Sequence, residues 1–269
     1  MATQAEKART FLELHHAATP LLMPNPWDAG AARILQSIGF QALATTSSGF
    51  AATLGRLDGQ VTRDEAIAHG GAVAAAVDVP VSADLENCFA DDPAGVAETV
   101  RRAVAAGLCG GSVEDYSGSA VYDAALATER VAAAAEAAHA GDVHYVLTAR
   151  AENHIRGNPD LADTIARLQA YQEAGADVLF APGLWEADDL RRVVSSVDRP
   201  VNVLAGPNTP PVPELASIGV KRVSVGGAFT YVALNALAEA GRELFEQGTY
   251  GYWATAGPGM TMARSVLKR

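Results

Sequence analysis

Asp84 and Glu86 end an otherwise apolar run, Val81-Ser82-Ala83-Asp84-Leu85-Glu86-Asn87, and Ser112-Val113-Glu114-Asp115 does the same about thirty residues later. A buried strand has no structural use for acids at its tip, because desolvating an unpaired carboxylate is costly. A hard divalent cation supplies a use. Mg2+ takes oxygen ligands, binds one or two carboxylates directly and keeps several of its waters. Asp84 then reads as the direct ligand, with Glu86 and Glu114 holding coordinated water. Asp58, in Leu57-Asp58-Gly59, adds a fourth acid from a loop. The competing reading has these acids capping helices or pairing with arginines across a rim, and makes Asp58 an ordinary Asp-Gly turn. Arg150 ends Val146-Leu147-Thr148-Ala149-Arg150. Its planar fork suits a substrate carboxylate held at two points, and also a structural pair with Glu114 or Glu152. Thr46, Ser47 and Ser48 offer hydroxyls and backbone N–H groups to the same anion, or simply form a turn of small residues.

The elements that must carry these side chains alternate along the chain. Strand-like pieces fall at Leu21–Pro24, Ala42–Thr46, Val79–Asp84, Gly111–Asp115, Tyr145–Arg150, Asp177–Ala181, Pro200–Leu204 and Arg222–Gly226. Helix-like segments fall between and after them, near Ala29–Ile38, Arg63–Val77, Pro93–Ala106, Ala124–Ala140, Leu161–Ala174, Glu186–Ser196, Val212–Ile218 and Thr230–Glu246, with a short leading helix inside residues 4–17. Thr62 with Glu65 forms a capping-box pattern, Pro93 suits a first helical turn, and Gly39, Gly107, Gly175 and Gly219 close helices. Eight strands alternating with eight helices predict an α/β fold, a (β/α)8 TIM-type barrel, in one domain over residues 1–269. The doubly wound alternative usually carries a Gly-rich phosphate loop after its first strand, where this chain has Pro24-Asn25-Pro26-Trp27-Asp28. A barrel places its active site past the C-terminal strand ends. The polar residues expected there are Asn25, Asp28, Thr45, Thr46, Ser47, Ser48, Asp84, Glu86, Glu114, Asp115, Arg150, Glu152, Asn153 and Asn202.

The bulk properties narrow the partners. A net charge of −11, with Lys7, Lys221 and Lys268 the only lysines, excludes a basic patch for nucleic acid. Cys88 and Cys109 make neither a disulfide framework nor a zinc spacing. No apolar run approaches membrane-spanning length, and the start of the chain does not read as a signal peptide, so a cytoplasmic protein without membrane partners is expected. His15, His16, His69 and His139 fall on helix-like segments and read as solvated. Tyr116, Ser117, Ser119 and His154 are the conceivable proton carriers.

At these residues the chain resembles the isocitrate lyase / phosphoenolpyruvate mutase superfamily. The matching pieces are Asn25-Pro26-Trp27-Asp28-Ala29-Gly30, Ala44-Thr45-Thr46-Ser47-Ser48-Gly49, Val81 to Glu86, Ser112 to Asp115, Thr148 to Asn153, Pro200 to Leu204 and Gly219 to Gly226. The resemblance implies a homotetramer with the last helix exchanged between paired subunits. It implies Mg2+, or Mn2+ in its place, at Asp58, Asp84, Glu86 and Glu114. It also implies a small anionic 2-oxo acid substrate whose pyruvyl end meets Arg150 and the Thr46-Ser47-Ser48 turn. On this basis Arg150, Glu114, Thr46 and Ser47 are the expected catalytic residues, and Thr46, Ser47, Ser48, Asp84, Arg150 and Asn202 the expected substrate contacts. The departures matter as much. Where isocitrate and methylisocitrate lyases carry a Lys-Lys-Cys-Gly-His loop, this chain runs Tyr116-Ser117-Gly118-Ser119-Ala120-Val121-Tyr122, and the Asn- and Lys-containing loop of the phosphonate enzymes is missing too. The expectation is a Mg2+-dependent carbon–carbon lyase or decarboxylase acting on a small 2-oxo or 2-hydroxy dicarboxylate through an enolpyruvate-like intermediate. A phosphonopyruvate-type P–C bond enzyme, mutase or hydrolase, and a non-catalytic carboxylate-binding member of the superfamily are the alternatives.

Overall fold

The structure, a computed structural model, describes residues 2–267. After a leading helix α1 (Gln4–Leu14), eight strands alternate with helices: β1 (Leu21–Met23), α2 (Ala29–Ile38), β2 (Leu43–Ala44), α3 (Ser47–Thr53), α4 (Arg63–Ala76), β3 (Val81–Ala83), α5 (Pro93–Ala105), β4 (Gly110–Glu114) and α6 (Ala124–His139). There follow β5 (Val146–Arg150), α7 (Leu161–Glu173), β6 (Val178–Phe180), α8 (Ala187–Ser195), β7 (Val201–Leu204), α9 (Val212–Ile218), β8 (Arg222–Ser224), α10 (Ala228–Gln247) and α11 (Trp253–Val266). All strand pairs are parallel, in the order β1-β8-β7-β6-β5-β4-β3-β2. At the remaining seam, the Ala44 N–H donates to the Pro24 carbonyl at 3.1 Å. This is the expected (β/α)8 barrel, nearly closed.

The local signals operate as their chemistry requires. Thr62 and Glu65 complete a reciprocal capping box on α4, and Asp92 caps α5 with Pro93 in its first turn. The four expected helix-closing glycines all have positive φ. Two helices differ from expectation. Thr46, Ser47 and Ser48 are not a simple turn: Thr46 caps α3, its side chain accepting from the Gly49 N–H at 3.3 Å. A separate helix, α11, follows α10.

Period-two alternation sorts each strand into inward and outward side chains. At the bottom of the barrel α1 inserts Phe11, fully buried, among Ala8, Leu21, Met23, Ala42, Ala44, Cys109, Val146 and Val178. Burying that ring contributes roughly 1.5–3 kcal/mol. Gly110 makes the room, since a Cβ there would lie 2.7 Å from the Val146 carbonyl oxygen and 2.8 Å from Phe11 Cε1. Outside the strands, a larger apolar cluster joins the sheet to the helical ring.

The same end corrects two of the histidines, His15 and His139, while His16 is exposed as expected. His15 is buried against Phe11, its Nδ1 2.7 Å from that residue's carbonyl oxygen. His139 and His144 stack at 4.3 Å and place Nε2 atoms 3.0 Å from the two oxygens of buried Asp177. Asp177 also accepts the Leu147 N–H at 2.8 Å, tying β5 to the start of β6. Burial alone would raise its carboxyl, but His139 and the Leu147 N–H more than offset that and hold it below the usual range. At the other extreme, Thr230 is the only fully buried residue of α10, and α11 has none.

Candidate active site

Strand alternation delivers Asp84, Glu114 and Arg150 to one mouth. Glu114 and Arg150 are partners in the β4–β5 register, and Glu114 Oε1 lies 2.7 Å from Arg150 Nη1. The same Nη1 reaches Asp84 Oδ1 at 3.4 Å, while Nε and Nη2 both donate to Glu152 Oε1, at 2.9 and 2.7 Å. Arg150 is therefore fixed by three carboxylates. Asp84 Oδ2 accepts the Ser47 N–H at 2.9 Å, so the strand end and the first turn of α3 are bonded directly. The cavity holds about 580 Å3 and is lined by Asp58, Thr46, Ser47, Ser48, Asp84, Glu86, Glu114, Arg150 and Asn202. The residues expected to hold metal and substrate lie in its wall, whereas Asp28, Asp115 and Asn153, also expected at the mouth, do not.

Several other expectations resolve differently. Asp28 caps α2, accepting from the Ala31 N–H at 2.7 Å. Asp115, one residue beyond inward-facing Glu114, points outward beneath α7, bonded to Tyr171 Oη at 2.6 Å and Arg167 Nη1 at 3.1 Å. Of the four proton-carrier candidates, Tyr116 and Ser117 line the cavity, whereas Ser119 and His154 do not. The Tyr116–Val121 segment closes on itself through a short antiparallel bridge, with Ser117 Oγ donating to the Ala120 carbonyl at 3.0 Å.

Three arginines, Arg130, Arg156 and Arg222, escape the sequence reading. Arg130, buried on α6, donates to the carbonyls of Glu114, Asn87 and Ala90 at 2.9, 2.6 and 3.0 Å. It thereby holds the loop after β3, where Glu86, Cys88 and Phe89 have φ of 51°, 59° and 55°. Such left-handed backbone is costly outside glycine and persists only where neighbours enforce it. A lone arginine on the apolar face of an alanine-rich helix was the available signal. Arg156 lies over the Tyr116 ring at 3.8 Å and pairs with Glu152 Oε2 at 3.1 Å, a link its i+4 spacing to Glu152 allows.

Five carboxylates, from Asp58, Asp84, Glu86, Glu114 and Glu152, thus face three guanidiniums, those of Arg150, Arg156 and Arg222. Glu86 Oε1 is buried and has no hydrogen-bond partner. Burial, then the charges of Asp84 and Asp58, push the Glu86 carboxyl up to about 7. Burial likewise raises Glu114, with Glu152 and Asp84 adding to it, against the pull of Arg150. A partnerless buried oxygen in an excess of acid fits a divalent cation, and the all-oxygen donor set fits Mg2+. Among the described residues the tightest three-residue group of ligand atoms, within 4.8 Å, is instead His139, His144 and Asp177 at the barrel's other end, while the mouth acids stand farther apart. That looser spacing suits an ion that keeps most of its water.

The family model for phosphoenolpyruvate phosphomutase matches residues 11–245. The chain belongs to this family. Within the wider isocitrate lyase / phosphoenolpyruvate mutase superfamily its relatives include lyases of small carboxylic acids as well as a phosphorylmutase. It is 33% identical over 235 residues to the uncharacterized protein Rv1998c of Mycobacterium tuberculosis, covering 87% of this chain and 88% of that one. It is 28% identical to 2,3-dimethylmalate lyase of Eubacterium barkeri, over 86% and 84% of the two chains. A crystal structure from Burkholderia cenocepacia J2315, assigned only as a lyase/mutase, superimposes with a TM-score of 0.94 at 47% identity, covering 97% of this chain and 96% of that one. The phosphoenolpyruvate phosphomutase family signature is thus spread over nearly the whole barrel. No described helix is long and apolar enough to cross a membrane.

Proposed function

We propose that the chain is a Mg2+-dependent carbon–carbon lyase or decarboxylase acting on a small 2-oxo or 2-hydroxy dicarboxylate through an enolpyruvate-like intermediate. The observation that carries this reading is Glu86 Oε1, buried without a partner in a cavity where five acids outnumber three guanidiniums. Asp84 would hold the ion, with Asp58, Glu86 and Glu114 arranged to bind its water shell. When bound, Mg2+ supplies Lewis-acid stabilisation of negative charge developing on the substrate oxygen. Arg150, braced by Glu152, presents a rigid charge to the substrate carboxylate. Thr46, Ser47, Ser48 and Asn202 line the same cavity. Tyr116 and Ser117 are the hydroxyls at hand to move a proton, since the other two candidates lie outside the cavity wall. The exposed apolar side chains of α10 and α11 support a homotetramer in which the last helix is exchanged between subunits.

The printed activities of the relatives support the same class, 2,3-dimethylmalate lyase among them. A Burkholderia cenocepacia J2315 structure described as a phosphonomutase, 36% identical over 91% of this chain, favours P–C chemistry as the second reading. Incubation with oxaloacetate, 2,3-dimethylmalate and phosphonopyruvate, each with Mg2+ or with excess chelator, separates the two. Metal-dependent release of a 2-oxo acid or CO2 from a dicarboxylate is expected. Turnover of phosphonopyruvate alone would favour the second reading, and turnover of none would refute both.

A further inference from the structure

Barrel interiors are ordinarily packed in layers of bulky branched side chains. Here that holds only for the bottom layer around Phe11. Above it the cavity wall is made by Ser82, Ser112, Thr148, Asn202, Arg222 and Ser224, mostly small and polar. The mouth therefore continues downward past Arg150.

Arg222 is 3% exposed and belongs to this wall. Its Nε donates to Asn202 Oδ1 at 2.9 Å, and its Nη1 donates to Thr148 Oγ1 at 3.0 Å and lies 3.3 Å from His15 Nε2. All three partners are uncharged groups as placed: an amide, a hydroxyl and a buried imidazole that burial, and then Arg222 itself, keep neutral down to about pH 3. Among the described residues no carboxylate lies within the 4.0 Å ion-pair distance of Arg222, and Nη2 makes no hydrogen bond. The contrast with Arg150, surrounded by three acids, is sharp. Buried charges are as a rule paired, because an uncompensated one is strongly destabilising. Burial and the charge of Arg150 both act against the charged form of Arg222, yet an arginine stays protonated in proteins. The missing partner is a negative charge, and the open route to it is the cavity.

We propose that Arg222 is the subsite for a second anionic group of the ligand, a carboxylate reaching below the mouth, so that the site selects dianionic acids over monoanionic ones. This rests on the reading of the mouth as a site for small anionic acids. It adds the residue that counts the second charge. Asn202 and Thr148 act as positioning residues, fixing Nε and Nη1 so that Nη2 faces the cavity. Sequence reasoning had no handle on Arg222, because one arginine at the start of a strand looks like a surface residue.

The test is calorimetric titration of the intact Mg2+-loaded protein with pyruvate, oxalate, malonate, succinate and glutarate. The wild type is expected to bind at least one of the longer dianions about tenfold or more tighter than pyruvate. Arg222→Gln is expected to lose that gain while its pyruvate and oxalate affinities change little, and Arg222→Lys to retain part of it. Equal losses for pyruvate and the longer dianions, or no loss, would overturn the proposal. If Arg222→Gln does not fold, bromide soaked into wild-type crystals decides. Anomalous density beside the Arg222 guanidinium supports the subsite, and its absence there with bromide bound elsewhere overturns it. Arg222-dependent binding without turnover would refute the proposed reaction and leave this subsite standing. Metal-dependent turnover with no Arg222-dependent selectivity would do the reverse.

Discussion

Just past Asp84 the backbone leaves the strand and turns left-handed at Glu86, whose carboxyl ends up buried beside two other acids. Its folded-state value of about 7 stands above the ordinary 4.5 of an unfolded chain. The sign follows from linkage: below 4.5 both states hold the proton and the fold suffers no penalty from this group. As pH rises from there through about 7, the folded state must give up a proton it holds tightly, and stability falls. The metal-free protein should therefore show a Tm that declines across this window. Saturating Mg2+ should flatten the decline, and Glu86→Gln should reduce it in the metal-free protein, leaving the part that the raised Glu114 carboxyl contributes. Scanning calorimetry across the window, with and without metal, checks all three. A metal-free Tm that is flat or rises would contradict the placement of Glu86.

At the scale of elements, two supports can be tested apart from the chemistry. Arg130 on α6 holds the Glu86 loop through three carbonyls. Arg130→Met should cost about 3 kcal/mol in denaturant unfolding and weaken Mg2+ binding without touching a ligand directly. Gly110→Ala should cost about 1–3 kcal/mol by pressing on Phe11 and the Val146 carbonyl. In a Phe11→Ala background the penalty should shrink, since half of that clash is gone. These elements also show what the sequence makes legible. The strand-ending acids were readable because apolar runs rarely finish in carboxylates, and the helix ends because capping residues and glycines act locally. Asp115 and Asp28 were misplaced for want of side-chain direction: one residue of strand alternation turns Asp115 away from the mouth, and Asp28 binds its own helix. Helix α3 was hidden because Ser-Ser-Gly has turn composition and only Thr46's cap reveals it. Arg130 and Arg222 act through contacts remote along the chain, which no local pattern encodes, and the i+4 spacing of Arg156 to Glu152 does not reveal its stacking on Tyr116.

Over the whole molecule, the barrel and its C-terminal helices obey different rules. The barrel buries most of its apolar residues within the chain, with Ile38 and Leu57 as exposed exceptions, whereas Leu237 and Phe245 on α10 are 70% and 91% exposed, and Trp253 on α11 is 56% exposed. Exposed apolar surface of this extent marks an interaction face. Light scattering on the purified protein should give four times the chain mass. Leu237→Asp with Phe245→Asp should lower that number while leaving the barrel's circular dichroism unchanged, and a monomeric wild type would contradict the assembly. The central claim, however, concerns the mouth, and one binding measurement addresses it most directly. Calorimetric titration with oxalate, a stable mimic of an enolpyruvate-like dianion, should show binding in the presence of Mg2+ and at least about tenfold weaker binding in excess chelator. Asp84→Ala should abolish the Mg2+ effect. Oxalate affinity that is indifferent to the metal, or unchanged by Asp84→Ala, would contradict a Mg2+-dependent carboxylate site at the end of β3.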